Sequence, residues 1–292
     1  MKVDGPLVSV CLPVYNGARF LGPAVASVLA QTHADFELRV FDDASTDGSW
    51  ELLQGIRDSR LILHRNARNL GPEANWNQAL AAARGKYIKL FHQDDLLAAE
   101  CLEKQVRALK DHPEAALTFC RRYIVRPDAR RLLTRGGPWA TGPVHGSQAF
   151  RRCLLAGTNL IGEPTAVLMR SDVLSQSGGF DGSIPYLIDL DLWLRLMEYG
   201  SAWSIGEPLV SFRISSGQWS VALISRQSQA FNQFTQKMLA SGRYQASVLD
   251  RARGALAANL NAIMRGWVYR LLPDTAFKGR VSGPGFTQRD EP

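Results

Sequence analysis

Short apolar runs alternate with helical patterns along the first part of this 292-residue chain, and that alternation narrows the fold more than any other feature. Val8, Val10, Leu12 and Val14 place one face of a strand, broken at Pro13-Val14-Tyr15-Asn16-Gly17. Leu21, Val25, Val28 and Leu29 then recur at helical spacing. A second strand pattern runs from Phe36 to Phe41, a third from Leu61 to Leu63, a fourth from Tyr87 to Phe91, and another spans about Ala115 to Phe119. Between them, a helix is expected near Asp47 with Ser or Thr as its cap. Another should follow Asn69-Leu70-Gly71-Pro72 through about Ala83, and a third carries Leu102, Val106 and Leu109. Strands alternating with helices make βαβ units around a mostly parallel sheet. Crossovers there are right-handed, and ligands bind outside the carboxyl ends of the strands.

With 46% apolar residues the chain can bury one large core or two modest ones. The formal charge is +7, with arginines in pairs at 121–122, 130–131 and 151–152. A basic surface suits nucleic acid, anionic lipid or a phosphorylated small substrate. No zinc-finger spacing or RNP-like aromatic motif occurs, so no nucleic-acid partner is expected. Cys11, Cys101, Cys120 and Cys153 form no CxxC pair, which fits a reducing cytoplasm better than a disulfide or zinc framework. No signal-peptide h-region and no apolar stretch of about 18 residues is present, so a cytoplasmic location is expected.

Three strand ends carry polar groups: Tyr15–Asn16, Asp42–Asp43 and His92 to Asp95. In a parallel sheet they open on one edge. Asp and Asn after a strand are often only helix caps and Asx turns. Paired aspartates at two ends, however, repel unless a cation or a donor-rich ligand joins them. Mg²⁺ or Mn²⁺ with a phosphate ligand meets that need, and a lone carboxylate can accept the imide N–H of a pyrimidine ring.

These residues and their order resemble the family 2 glycosyltransferases, which have the GT-A fold: an α/β, Rossmann-like, mostly parallel central sheet flanked by helices. The matching pieces are Val8-Ser9-Val10-Cys11-Leu12-Pro13-Val14-Tyr15-Asn16, Gln31-Thr32, and Asp42-Asp43-Ala44-Ser45-Thr46-Asp47-Gly48. Asn69-Leu70-Gly71 with Asn75 and Asn77, then Gly85-Lys86-Tyr87 leading to Asp94-Asp95, continue the match. Gly178-Gly179-Phe180-Asp181 and Asp189-Leu190-Asp191-Leu192-Trp193-Leu194-Arg195 complete it. The resemblance covers roughly residues 7 to 220. It implies an inverting transfer from a nucleoside-diphosphate sugar to an acceptor hydroxyl of a glycan, a lipid-linked or another acceptor, in surface polysaccharide or glycoconjugate synthesis. Pro13, Tyr15 and Asp43 would hold the nucleobase with Asp42 beside them. Asp94 would contact ribose or sugar, Asp95 would bind Mg²⁺ or Mn²⁺, and Asp189 would be the general base. UDP and dTDP donors both suit an aspartate facing a pyrimidine imide.

The departures from the family pattern are equally specific. His92 replaces the first aspartate of the metal motif, and an imidazole tolerates Mn²⁺ at least as well as Mg²⁺. Ile188 replaces the glutamate before the base. Arg213-Ile214-Ser215 replaces an Arg-x-His, leaving Arg213 or Gln218 to meet the diphosphate. The Gln-x-x-Arg-Trp signature of processive synthases is absent, which points to one residue per encounter. Trp193 is expected in the core and Arg195 on a helix surface, in a helical segment over 189–199 with Tyr199 on its apolar face.

Residues 1–120 are read as the donor half, 121–220 as the acceptor and base half, 221–272 as a helical extension, and 273–292 as a loose tail. Leu260, Ile263, Met264, Trp267 and Leu271, with Arg265 and Arg270, make the extension suited to a membrane surface, a second copy or the catalytic domain itself. Two rival readings stand beside glycosyl transfer. A sugar-phosphate nucleotidyltransferase would want a Gly-rich phosphate loop after the first strand, where Val14-Tyr15-Asn16-Gly17-Ala18-Arg19 holds one glycine. A degenerate nucleotide-sugar binder would explain His92, Ile188 and Ser215, against the retained aspartates.

Overall fold

A computed structural model of the chain describes residues 5–215 and 226–271. The first strands and helices are β1 (Val8–Val14), α1 (Ala18–Leu29), β2 (Phe36–Asp42), α2 (Ser49–Gly55), β3 (Leu61–Arg65), α3 (Pro72–Ala81) and β4 (Tyr87–Leu90). β1 pairs in parallel with β2 on one side and β4 on the other, and β2 with β3. Every residue of β1 and β2 is buried, not one face alone. A parallel strand covered by helices on both faces needs apolar or satisfied residues at every position. Ser9 meets that need: its hydroxyl donates to Glu37 Oε1 at 2.6 Å and accepts from the Gly85 backbone N–H at 2.8 Å.

The helix after β2 starts at Ser49, and its N-cap residue is Gly48 in the left-handed region at φ 88°, not Ser or Thr. Asp47 Oδ1 accepts from the Ser49 backbone N–H at 3.1 Å.

The second half adds β5 (Leu96–Leu97), α4 (Cys101–Asp111), β6 (Ala115–Val125), β7 (Arg131–Arg135), β8 (Gly142–Val144) and α5 (Gly146–Ala156). It continues with β9 (Val167–Arg170), α6 (Ser171–Ser177), α7 (Ile188–Leu196) and β10 (Ser201–Arg213). The sheet order is β3-β2-β1-β4-β9-β6-β10-β5, with β7 on β6 and β8 on β10. Parallel pairing therefore governs the first half, while β9 runs antiparallel to both β4 and β6. The chain enters β9 from a 3-10 turn, Pro164–Ala166, that sits at the carboxyl end of β4. That reversal carries residues 163–165 to the edge where β1, β2 and β4 end.

α7 stops at Leu196, three residues short of the expected span, and Tyr199 is half exposed beyond it. Trp193 is fully buried among Phe119, Phe150 and Phe180, as expected of a core residue. Arg195 is not a free surface charge. Its guanidinium donates to Asp191 Oδ2 at 2.7 Å and to the Ser177 and Gly179 carbonyls at 2.6 and 2.7 Å, pinning the Gly178–Asp181 loop.

The helical extension forms α8 (Gln227–Ala240) and α9 (Val248–Leu271). α9 packs on α5 where glycine allows close approach: a Cβ on Gly254 would lie 2.6 Å from the Leu154 carbonyl oxygen. Asn261 Nδ2 donates to the Ala156 carbonyl at 2.7 Å, satisfying an end of α5. Leu256, Leu260, Ile263 and Trp267 lie on the exposed side of α9. Among the described residues no helix is long and apolar enough to cross a membrane.

Candidate active site

The order β3-β2-β1-β4 makes the β1/β4 boundary a switch point, where crossovers leave in opposite directions and open a crevice at the carboxyl edge. One side chain bridges it. Gln93, after β4, accepts from the Tyr15 backbone N–H at 2.9 Å and donates to the Tyr15 carbonyl at 3.0 Å. Gly17 makes room for it, since a Cβ there would sit 2.2 Å from Gln93 Oε1. Asn16, at φ 47°, ties β1 to β2 by accepting from the Thr46 backbone N–H at 2.9 Å. The Tyr15 side chain is 43% exposed at this rim, and Pro13 is buried within β1.

The aspartate pair after β2 is divided. Asp42 is fully buried, with Oδ2 3.2 Å from Arg65 Nε and from the Ser45 backbone nitrogen. Its Oδ1 is buried without a hydrogen-bond partner among the described residues. Asp43 accepts three bonds, from Asn66 Nδ2 (2.8 Å) and the Leu70 (2.9 Å) and Gly71 (3.0 Å) backbone N–H groups. A carboxylate offers about four acceptor sites, so one remains.

Asp42 and Asp43 are both buried, whereas the aspartates of the His92–Asp95 segment differ in exposure. Asp94 is partly exposed. Asp95 is fully buried; Oδ2 accepts from Thr165 Oγ1 at 2.6 Å and Oδ1 from the Arg213 backbone N–H at 3.0 Å. Burial first, then the charge of Asp94, pushes the Asp95 carboxyl well above the usual range. The expectation of a metal on Asp95 thus meets a carboxyl whose two oxygens are already engaged away from solvent. His92 lies 5.1 Å from the Trp76 ring, with Nδ1 3.9 Å from Asp95 Oδ2 and Nε2 buried without a hydrogen-bond partner. Burial lowers its pKa against the charges of Asp94 and Glu163, which favours the neutral form with a lone pair to offer.

Arg213 closes this side. Its Nε donates to the Asp94 carbonyl at 2.8 Å, Nη1 to the Pro127 carbonyl at 2.6 Å, and the guanidinium lies 4.6 Å over Phe20. It clamps the acidic segment to the β6 side. Gln218 lies outside the described residues.

Asp189 begins α7 just after the turn Pro185–Leu187. Oδ1 accepts from the Leu190 backbone N–H at 2.8 Å and Oδ2 from Asn159 Nδ2 at 3.0 Å. Its pKa is pushed up to about 7, by burial first and then by the charge of Glu163, against those two bonds. The side chain remains partly exposed.

Residues 9–178 match the family described as Glycosyl transferase family 2. The chain belongs to that family. Its fold is GT-A, like that of solved members: Staphylococcus aureus TarS 1–349 with UDP-GlcNAc aligns at TM-score 0.63 and 17% identity, over 88% of this chain and 72% of that one. The mannosyltransferase PcManGT from Pyrobaculum calidifontis, solved with GDP-Man and Mn²⁺, aligns at TM-score 0.60 and 20% identity, over 91% and 72%. Among curated relatives, an uncharacterized protein of Mycobacterium tuberculosis is 34% identical over 66% of this chain and 62% of its own length. An uncharacterized glycosyltransferase of Rickettsia felis is 28% identical, and the match spans only 37% of it. TuaG of Bacillus subtilis, a putative teichuronic acid biosynthesis glycosyltransferase, is 29% identical over 74% of this chain and 84% of its own length.

Residues 158–165, which no sequence pattern singles out, supply further partners to the candidate site. Asn159 holds Asp189, Thr165 holds Asp95, and Glu163 forms an ion pair with Arg122. The one local sign was Gly162, which stands at φ +132° and whose carbonyl accepts from Trp193 Nε1 at 2.9 Å. No group of three or more His, Cys, Asp or Glu side chains among the described residues is arranged to hold a metal. His92 Nε2, without a hydrogen-bond partner among the described residues, is an atom of the expected metal set that is left unengaged.

Proposed function

We propose that this glycosyltransferase moves one sugar per encounter from a nucleoside-diphosphate sugar to an acceptor hydroxyl, with inversion at the anomeric carbon. The observation that carries the reading is Asp189. It is a carboxylate oriented by two donors, with a pKa near working pH and some exposure, as a general base requires. Asp189 takes the proton of the acceptor hydroxyl as that oxygen attacks the anomeric carbon and the bond to the diphosphate breaks.

Asp43 offers its remaining acceptor site to a pyrimidine imide N–H, with Tyr15 over the ring, Pro13 beneath the rim and Asp42 behind. UDP and dTDP are the donors this suits. The likeness to TarS, solved in complex with UDP-GlcNAc, supports a nucleotide-sugar donor. Asp94, with His92, would hold Mg²⁺ or Mn²⁺ together with the diphosphate, and PcManGT with Mn²⁺ supports a metal. When bound, such an ion offsets the charge that develops on the leaving diphosphate. Asp95 then has a positioning role, fixing the segment through Thr165 and Arg213. Arg213 faces the diphosphate from its clamp on the Asp94 carbonyl. TuaG and the E. coli WcaA, a putative colanic acid biosynthesis glycosyl transferase 27% identical over 86% of this chain, support an acceptor in surface polysaccharide synthesis.

The test is UDP or dTDP release from a panel of their sugars, with Mn²⁺ and with a chelator, followed by NMR of the product's anomeric proton. Inversion relative to the donor is expected. A product of retained configuration would sink the single-displacement mechanism.

A further inference from the structure

Arg122 and Arg135 are direct cross-strand partners in β6 and β7. Like charges directly opposite each other destabilise a sheet unless an anion sits between them. One carboxylate is present: Glu163, in an ion pair with Arg122. Arg122 is 2% exposed, and its Nη1 has no hydrogen-bond partner among the described residues. Arg135 is partly exposed and has no ion-pair partner among them.

A third guanidinium arrives from α9. Arg265 donates to Thr158 Oγ1 at 2.6 Å, to Gln227 Oε1 at 3.0 Å and to the Tyr186 hydroxyl, all neutral acceptors. Its charge and that of Arg122 bear on Arg135, whose pKa is lowered by burial first. Among the described residues Glu163 is the one carboxylate in an ion pair with any of the three arginines. Thr158 and Glu163, which receive Arg265 and Arg122, flank Asn159, the residue that holds Asp189. Glu163, the carboxylate paired with Arg122, bears by its charge on Asp189, which links this basic group to the base.

We propose that Arg122, Arg135 and Arg265 form a subsite for an anionic group, phosphate or carboxylate, carried by the acceptor. The inference deepens the glycosyl-transfer reading and rests on it. The three arginines come from β6, β7 and α9, whereas the nucleotide edge is built by β1, β2 and β4. Arginine suits the task because its planar fork pairs two N–H groups with two oxygens of either anion. The acceptor's anion completes the neutralisation that Glu163 begins and delivers the neighbouring hydroxyl to Asp189.

The probe is inorganic phosphate, titrated into protein saturated with UDP and Mn²⁺, with potassium chloride at matched ionic strength as the control. Phosphate should raise the melting temperature saturably by about 2–4 °C. Arg135→Gln should lose that response, Arg135→Lys should keep part of it, and both should keep the UDP response, which certifies folding. Phosphate without effect on the UDP-saturated protein, or a full response in Arg135→Gln, would overturn the subsite. So would a phosphate response that UDP abolishes, since the anion would then be sitting in the donor's diphosphate site. If UDP itself gives no response, the functional reading fails separately, and the same phosphate comparison on UDP-free wild type and Arg135→Gln decides the subsite.

Discussion

Asn159 donates its side-chain amide to Oδ2 of Asp189 at 3.0 Å, across 30 residues of sequence. Its Oδ1 accepts from the Ile161 and Gly162 backbone N–H groups at 2.9 and 3.1 Å, so the amide cannot turn without breaking its own loop. The proposed base is therefore aimed by Asn159. Asn159→Ala should lower kcat by about 10- to 100-fold, the scale of a misplaced catalytic group, with little change in donor KM. A donor that favours the charged carboxylate is also lost, so the acid limb of the pH–rate profile should move to higher pH. An unchanged limb would remove Asn159 from this role.

Asp189 also links activity to stability. Its folded pKa, about 7, lies above the ordinary carboxylate value of 3.8, so the folded state binds the proton more tightly. Stability falls as pH rises from about 4 toward 7, because charging the partly buried carboxyl disfavours the fold. The activity of a base runs the opposite way and should climb through pH 7. Asp189→Asn should accordingly melt higher than wild type at pH 8, with the difference vanishing near pH 4. Thermal melts across that range decide it; equal melting temperatures at pH 8 would contradict the raised pKa.

Thr165 donates to Asp95 at 2.6 Å in a fully buried setting. Thr165→Val keeps the shape and removes the donor. The unmet buried oxygen should cost about 1–3 kcal/mol, measured by denaturant unfolding. Asp95→Asn should leave Mn²⁺-dependent UDP binding largely intact, while Asp94→Asn should weaken it. If Asp95→Asn instead abolished Mn²⁺-dependent UDP binding while Asp94→Asn spared it, the division of labour between the two aspartates would be reversed.

Gly17→Ala would place a methyl 2.2 Å from Gln93 Oε1 and force that side chain off Tyr15. With the β1/β4 bridge broken, donor KM should rise about tenfold while the fold survives, since Gly17 itself has an ordinary φ of −107°. Calorimetric titration of UDP checks this.

Much of the donor side was legible in the sequence because strands announce themselves locally. The runs Val8–Val14, Phe36–Phe41 and Tyr87–Phe91 each end in polar residues, and parallel pairing puts those ends on one edge. Which carboxylate of a pair faces solvent was not legible. Asp95 is sealed by Thr165 and Arg213, 70 and 118 residues away, and no local pattern reports such partners. The same holds for Asn159 and Glu163, which lie in a turn without period, and for β9, whose reversed direction follows from the route the chain takes into the sheet. Arg195 looked like a surface charge because its carbonyl partners belong to a loop, and main-chain acceptors leave no trace in side-chain patterning.

The central claim is that Asp189 acts on the acceptor and has no part in holding the nucleotide. Asp189→Asn compared with wild type tests it directly, by UDP titration with Mn²⁺ and by the rate of sugar transfer on one protein preparation. UDP affinity should stay within about twofold of wild type and transfer should fall by at least about 10²-fold, the lower end of what a general base contributes. Transfer at the wild-type rate, or loss of UDP binding together with transfer, would contradict it.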